Sequence, residues 1–77
     1  MTNYTIKEGQ TLLDIAIQKY GSIEGIAFLL EDNASIIEVT DSLISGTMLN
    51  IRDDSYIIDQ TVVDYLKEKS ITLATGQ

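Results

Sequence analysis

The sequence predicts a small α+β chain in the order strand, helix, helix, strand, followed by a C-terminal helical extension. Three observations carry that reading. Tyr4 and Ile6 alternate with Thr5 and Lys7, as the two faces of a strand do. The stretch from Gly9 to Gly21 holds the residue types of a tight turn, a capped helix and a left-handed stop. After Gly46 a second alternation begins, with Thr47, Leu49 and Ile51 on one face and Met48 and Asn50 on the other.

Taken in order, the first strand spans roughly Thr2 to Lys7 and the first helix Leu12 to Tyr20. Thr11 is the expected N-cap, because its hydroxyl can accept from backbone N–H groups that lack a helical partner. Asp14, three residues on, can bond back to the cap and suits the positive end of the helix. Leu13, Ala16, Ile17 and Tyr20 form one apolar stripe, and Leu12, Ile15 and Ala16 a second beside it. Asp14 and Gln18 share the polar face, and Lys19 snorkels between apolar neighbours. So wide an apolar arc predicts cover on two sides, from the C-terminal segment or from another chain.

Ser22 is the next cap, and a second helix is expected over Ile23 to Asp32. The i, i+3, i+4, i+7 rule puts Ile23, Ile26, Ala27 and Leu30 inside and Glu24, Glu31 and Asp32 in water, with Leu29 on the flank. Phe28, the chain's one phenylalanine, falls on the polar side and is a candidate partner anchor. Asn33 suits the helix end. Ala34 to Ser45 is irregular, Arg52 to Ser55 closes the second strand, and Tyr56-Ile57-Ile58 is a β-prone run without a clear place. Asp59 or Thr61 caps a third helix, Thr61 to Lys69, expected to pack through Val62, Val63 and Leu66 on Leu13 and Ile17. The tail from Ile71 reads as extended.

Composition narrows the chemistry. The chain has 77 residues, a 44% hydrophobic fraction, no cysteine and no histidine. No disulfide, thiolate metal site or histidine-dependent catalytic group is therefore open to it. Its net charge of −7, from 12 acidic and 5 basic residues without a basic cluster, argues against nucleic acid and anionic membrane partners. No apolar run approaches a membrane span. The N-terminus lacks the basic and then apolar pattern of a signal peptide. The expectation is synthesis in the cytoplasm, compatible with delivery in a virion or tail-like particle. Asp14, Glu24, Glu31 and Asp32 could in principle offer paired carboxylates for acid–base work, but they occupy ordinary solvated helix positions, and Asp14 already has a capping role. Asp53, Asp54 and Asp59 lack the spacing of a calcium loop. No enzyme activity, cofactor or metal is expected.

The residues Tyr4-Thr5-Ile6-Lys7-Glu8-Gly9-Gln10-Thr11-Leu12-Leu13-Asp14-Ile15-Ala16, then Lys19-Tyr20-Gly21, Leu30, Asn33 and Leu43-Ile44-Ser45-Gly46-Thr47-Met48-Leu49-Asn50-Ile51, resemble the LysM family. The resemblance covers about residues 3 to 52. It implies a domain over 1–52, with an antiparallel strand pair and both helices on one side, and leaves 53–77 as the extension. It further implies a non-catalytic module that binds N-acetylglucosamine glycan, peptidoglycan or chitin. The groove lies between two loops, here Gly9, Gln10, Thr11 and Leu12, and Asn33, Ala34, Ser35 and Ile36. Backbone amides there would pair with sugar acetamides, and Leu12 or Ile36 would receive the acetyl methyl. The chain departs from the pattern at Gln10, where aspartate is usual, at Ser45, where proline is common, and in a longer, more apolar 31–42 segment. In overall style it is similar to small LysM-like proteins of phage and prophage tails or baseplates. That likeness implies an adaptor role, with Leu13, Ile17 and Phe28 as partner contacts.

Overall fold

The computed structural model describes residues 1–33 and 43–75. Strand β1 (Thr2–Thr5) pairs antiparallel with β2 (Met48–Ile51), Thr2 opposite Ile51 and Thr5 opposite Met48. Between them come helix α1 (Leu12–Tyr20), a 3-10 turn (Ile23–Gly25) and helix α2 (Ile26–Asp32). A second 3-10 turn (Asp54–Tyr56) leads to helix α3 (Gln60–Glu68). The fold is α+β, β-α-α-β with a C-terminal helix. No helix among the described residues is long and apolar enough to cross a membrane.

Helix α1 has the predicted bounds because its end signals are local and strong. Thr11 accepts from the Asp14 N–H and Asp14 from the Thr11 N–H, a complete capping box. Gly21 ends the helix at φ +79° with its N–H on the Ile17 carbonyl. Leu12, Ile15, Ala16 and Tyr20 are buried with Ile6, Leu29, Leu49 and Ile51 in one core. Leu49 and Ile51 alternate with exposed Met48 and Asn50, as predicted.

The expected strand lengths shorten by a residue or two. β1 stops at Thr5 because Lys7 already opens a turn. The pairing itself runs one residue further: the Ile6 N–H donates to Thr47 and the Ile6 carbonyl accepts from Gly46, both at 2.8 Å.

The second helix presents a different face from the one expected. Leu29 is fully buried, Ala27 and Ile23 are exposed, and Ile26, Phe28 and Leu30 are half-buried against the core. The cause is the 3-10 first turn. Each 3-10 residue rotates about 20° further than an α-helical one, so three of them turn the following face by roughly 60°. Gly25 is required in that turn, since a Cβ there would lie 2.5 Å from the Tyr20 ring.

Helix α3 is confirmed within a residue at each end. Asp59 caps it, accepting from the Val62 N–H at 3.3 Å. It packs on α1 with Val63 and Leu66 buried and Val62 half-buried. Ile58, in the run without a predicted place, and Asp59 both donate their N–H to the Tyr20 carbonyl. This sets the start of α3 against the end of α1. Asp59 comes so close that a Cβ on Gly21 would meet its carbonyl.

Two outcomes follow from α3. Leu66 is 7% exposed, so Leu66→Asp should lower denaturant stability by about 3 kcal/mol through a buried, unpaired charge. Ser70 ends α3 at φ +54°, with the Ser70 and Ile71 N–H groups on the Lys67 and Leu66 carbonyls. Glycine there would relieve about 1–2 kcal/mol of left-handed strain and return part of it as unfolded-state entropy. Ser70→Gly should therefore raise stability by a net of about 0.5–1 kcal/mol in urea unfolding.

Candidate functional site

The β1–α1 connection is a tight turn. The Gln10 N–H donates to the Lys7 carbonyl at 3.2 Å, and Gly9 takes φ +81°. A positive φ at the third residue is the demand of a type II turn, which glycine meets without strain. The Ile6 pairing with Gly46 and Thr47 holds this turn beside the segment that leads into β2. The turn and the described end of the α2–β2 connection at Gly46 and Thr47 are thus side by side at one end of the sheet, while Asn33, the other described end, meets β2 further along at Asn50.

The side chains of this turn are largely spent inward. Gln10 is buried, and its Oε1 accepts from the Tyr4 hydroxyl at 2.9 Å and the Lys7 N–H at 2.8 Å. Its Nε2 donates to the Leu73 carbonyl at 3.0 Å. Leu12 is in the core. Gly9 and Thr11 are half-buried and keep exposed surface, with Thr11 also committed to the cap. Asn33 is buried as well. Its amide donates to the Leu29 and Asn50 carbonyls, and its oxygen accepts the Asn50 N–H at 2.7 Å. It thereby extends the edge of β2 with a side chain and joins it to the end of α2. Ala34, Ser35 and Ile36 lie outside the described residues.

The three expected partner contacts fare differently. Leu13 is 43% exposed, whereas Ile17 is half-buried. Phe28 is not the exposed anchor its helical position suggested. Its ring packs edge-on between Tyr20, at 5.2 Å, and Tyr56, at 5.6 Å. The Arg52 guanidinium lies 4.4 Å from its centre. That guanidinium forks onto Asp32 at 2.7 Å and reaches Glu31 at 2.8 Å. Both carboxylates bond to it and raise its already high pKa. Asp32, expected in water, is therefore covered and held by Arg52, whereas Glu31 keeps its solvent exposure while bonding to the same guanidinium. Asp53 caps the following 3-10 turn through Ser55. Among the described residues no cluster of carboxylates could hold a metal ion.

One polar constellation was missed in the sequence. Asp14 and Gln18, expected to face water, are covered by the tail. Gln18 donates to the Ile71 carbonyl at 2.8 Å and accepts the Leu73 N–H at 2.9 Å. Asp14 accepts the Thr75 N–H and hydroxyl, both at 2.8 Å. Gln10, Asp14 and Gln18 stand four apart, a helical spacing, and together strap residues 71–75 across α1. The spacing was visible in the sequence, but its partner lies more than fifty residues away.

Burial pushes the Asp14 carboxyl up, but the Thr11 and Thr75 donors outweigh it and hold the group below its usual pKa of 3.8. Lys19 is shifted the other way for a base, downward, by burial and then by the charges of Lys67 and Lys7. Its ammonium rests 4.4 Å over the Tyr4 ring.

Comparison with protein-family models, with curated proteins and with solved structures gives no match for this chain.

Because the Asp14 pKa is lowered on folding, its contribution is present above the unfolded value and lost as pH falls through the folded one. Asp14→Asn should cost about 1–2 kcal/mol at neutral pH, through the cap and the strap. In urea titrations the gap between wild type and variant should narrow as pH falls below the ordinary carboxylate range, through the lowered pKa of Asp14.

Proposed function

We propose that the chain is a non-catalytic, LysM-like module that binds N-acetylglucosamine glycan, with peptidoglycan as the ligand. One observation carries the reading. The Ile6 pairing with Gly46 and Thr47 sets the Lys7–Gln10 turn beside the segment entering β2, which supports a groove between the two connections. In this reading the main chain at Gly9–Leu12, with the surface of Gly9 and Thr11, forms one wall. The segment entering β2 at Gly46 and Thr47 borders the other side; Ala34, Ser35 and Ile36, which the resemblance implies for that wall, lie outside the described residues. Paired backbone donors and acceptors suit a neutral acetamide and need no charge, which fits an acidic chain. No cofactor takes part.

A second reading, an adaptor in a phage or prophage tail or baseplate, is favoured by the exposure of Leu13 beside half-buried Ile17 on a helix whose other apolar residues are buried. It is compatible with the first.

The test is an amide chemical-shift titration with N-acetylglucosamine oligomers and muropeptides, on protein whose mass in solution is known. Saturable shifts confined to Gly9–Leu12 and residues 33–36 are expected. Cellohexaose, which has the same linkage without the acetamide, should leave them unmoved. Silence of both loops at millimolar glycan removes the glycan reading. A monodisperse monomer that also fails to bind tail proteins removes the adaptor.

A further inference from the structure

We propose that the cleft bounded by α1, α3 and the Asp54–Tyr56 turn binds a small zwitterion of amino-acid or dipeptide size. Its carboxylate would meet Lys19 and Lys67, and its ammonium Asp53 or Asp54. The cleft has a volume of about 480 Å³, and its lining includes these four residues together with Ile57 and Val63. Clefts of roughly 300–1,000 Å³ with apolar walls and a few polar groups are where proteins take small molecules. The cleft does not include Gly9–Leu12, and the proposal does not rest on the glycan reading.

The charges argue for a ligand of this class. Only 5 residues of the chain are basic against 12 acidic, yet two of the lysines line this one cleft. Arg52 also lines it but is engaged by Asp32 and Glu31. Among the described residues neither Lys19 nor Lys67 has an ion-pair partner. Lys19 is instead half-buried against Tyr4, where burial and the charges of Lys67 and Lys7 work against its ammonium. The fold thus keeps like charges together although carboxylates are plentiful. An anionic group beside Lys19 and Lys67 removes that repulsion.

A plain anion does not complete the fit. Asp53 and Asp54 line the same cleft and repel a phosphate. Asp53 is held ionised by donation from Ser55, and Asp54 is exposed. A molecule carrying both signs, with a short apolar body against Ile57 and Val63, matches both charge pairs and the apolar wall of the lining.

The experiment is a low-salt amide titration of the full chain with glycyl-leucine. N-acetyl-glycyl-leucine, glycyl-leucinamide and inorganic phosphate serve as parallel probes. Saturable shifts at Lys19, Ser55, Ile57, Val63 and Lys67 are expected. Blocking either end of the dipeptide should weaken binding about fivefold or more, the scale of one exposed charge pair. Lys67→Gln and Asp54→Asn, both at exposed positions, should each do the same while leaving the unbound spectrum otherwise intact. The proposal is overturned by shifts that never saturate or by equal affinity for the blocked forms. It also fails if phosphate binds as tightly as the dipeptide, or if neither substitution has an effect. Dipeptide shifts confined to Gly9–Leu12 would likewise remove it.

Discussion

Tyr20 is the residue on which the other segments converge. It ends α1, is fully buried, and uses every part of itself on a different neighbour. Its ring meets Phe28 of α2 edge-on, and Gly25 leaves it the room to do so. Its hydroxyl accepts the Arg52 N–H at 2.9 Å, just past the end of β2. Burial raises the phenol pKa despite that bond, so the hydroxyl stays protonated. Its carbonyl receives the Ile58 and Asp59 N–H groups and so fixes where α3 begins. Buried polar groups cost free energy unless they are bonded, so the hydroxyl and carbonyl specify this arrangement as well as permit it. A second helix, a strand end and a third helix are thereby set relative to one side chain.

Arg52 completes the same corner from the other direction. Its backbone bonds to Tyr20, its guanidinium covers Phe28 and Tyr56, and its fork closes on Asp32 and Glu31 at the end of α2. An ion pair built on exposed side chains contributes little by itself. Here the Arg52 side chain is only 17% exposed and the Asp32 side chain 8%, so the pair serves mainly to orient α2 against β2. Asn33 does the same at the next position by bonding to Asn50.

What was legible in the sequence and what was not divides by distance along the chain. The capping box of Thr11 and Asp14, the Gly21 stop and the faces of β2 are decided locally and were read correctly, and the α3 cap is Asp59, one of the two residues the sequence offered. The face of α2 was not, because a 3-10 turn has no marker in the apolar spacing that would separate it from a first α-helical turn. The burial of Asp14, Gln18 and Phe28 was illegible for a different reason. Each depends on a partner from the far end of the chain: Thr75, the 71–73 backbone, and the Tyr56–Arg52 pair. At the candidate groove the resemblance named the loop but could not say which way its side chains turn.

That direction bears on what the groove can recognise. Asp14 and Gln18 hold the tail, and Gln10 joins them, so one of the residues that depart from the LysM-like pattern is also the link between the turn and the strap. An aspartate at position 10 could accept from Tyr4 and the Lys7 N–H, as Gln10 does. It could not donate to the Leu73 carbonyl, because an ionised carboxylate only accepts. Glutamine is therefore the residue type that keeps the turn closed and ties the strap down with one side chain. With Gln10, Leu12 and Asn33 all consumed by the fold, discrimination at this loop falls to the main chain and to the small surfaces of Gly9 and Thr11. In the proposed glycan reading, such a wall would recognise the shape and amide pattern of a ligand rather than its charge. The ionic chemistry of the molecule lies elsewhere, where Lys19 and Lys67 share a cleft with Asp53 and Asp54.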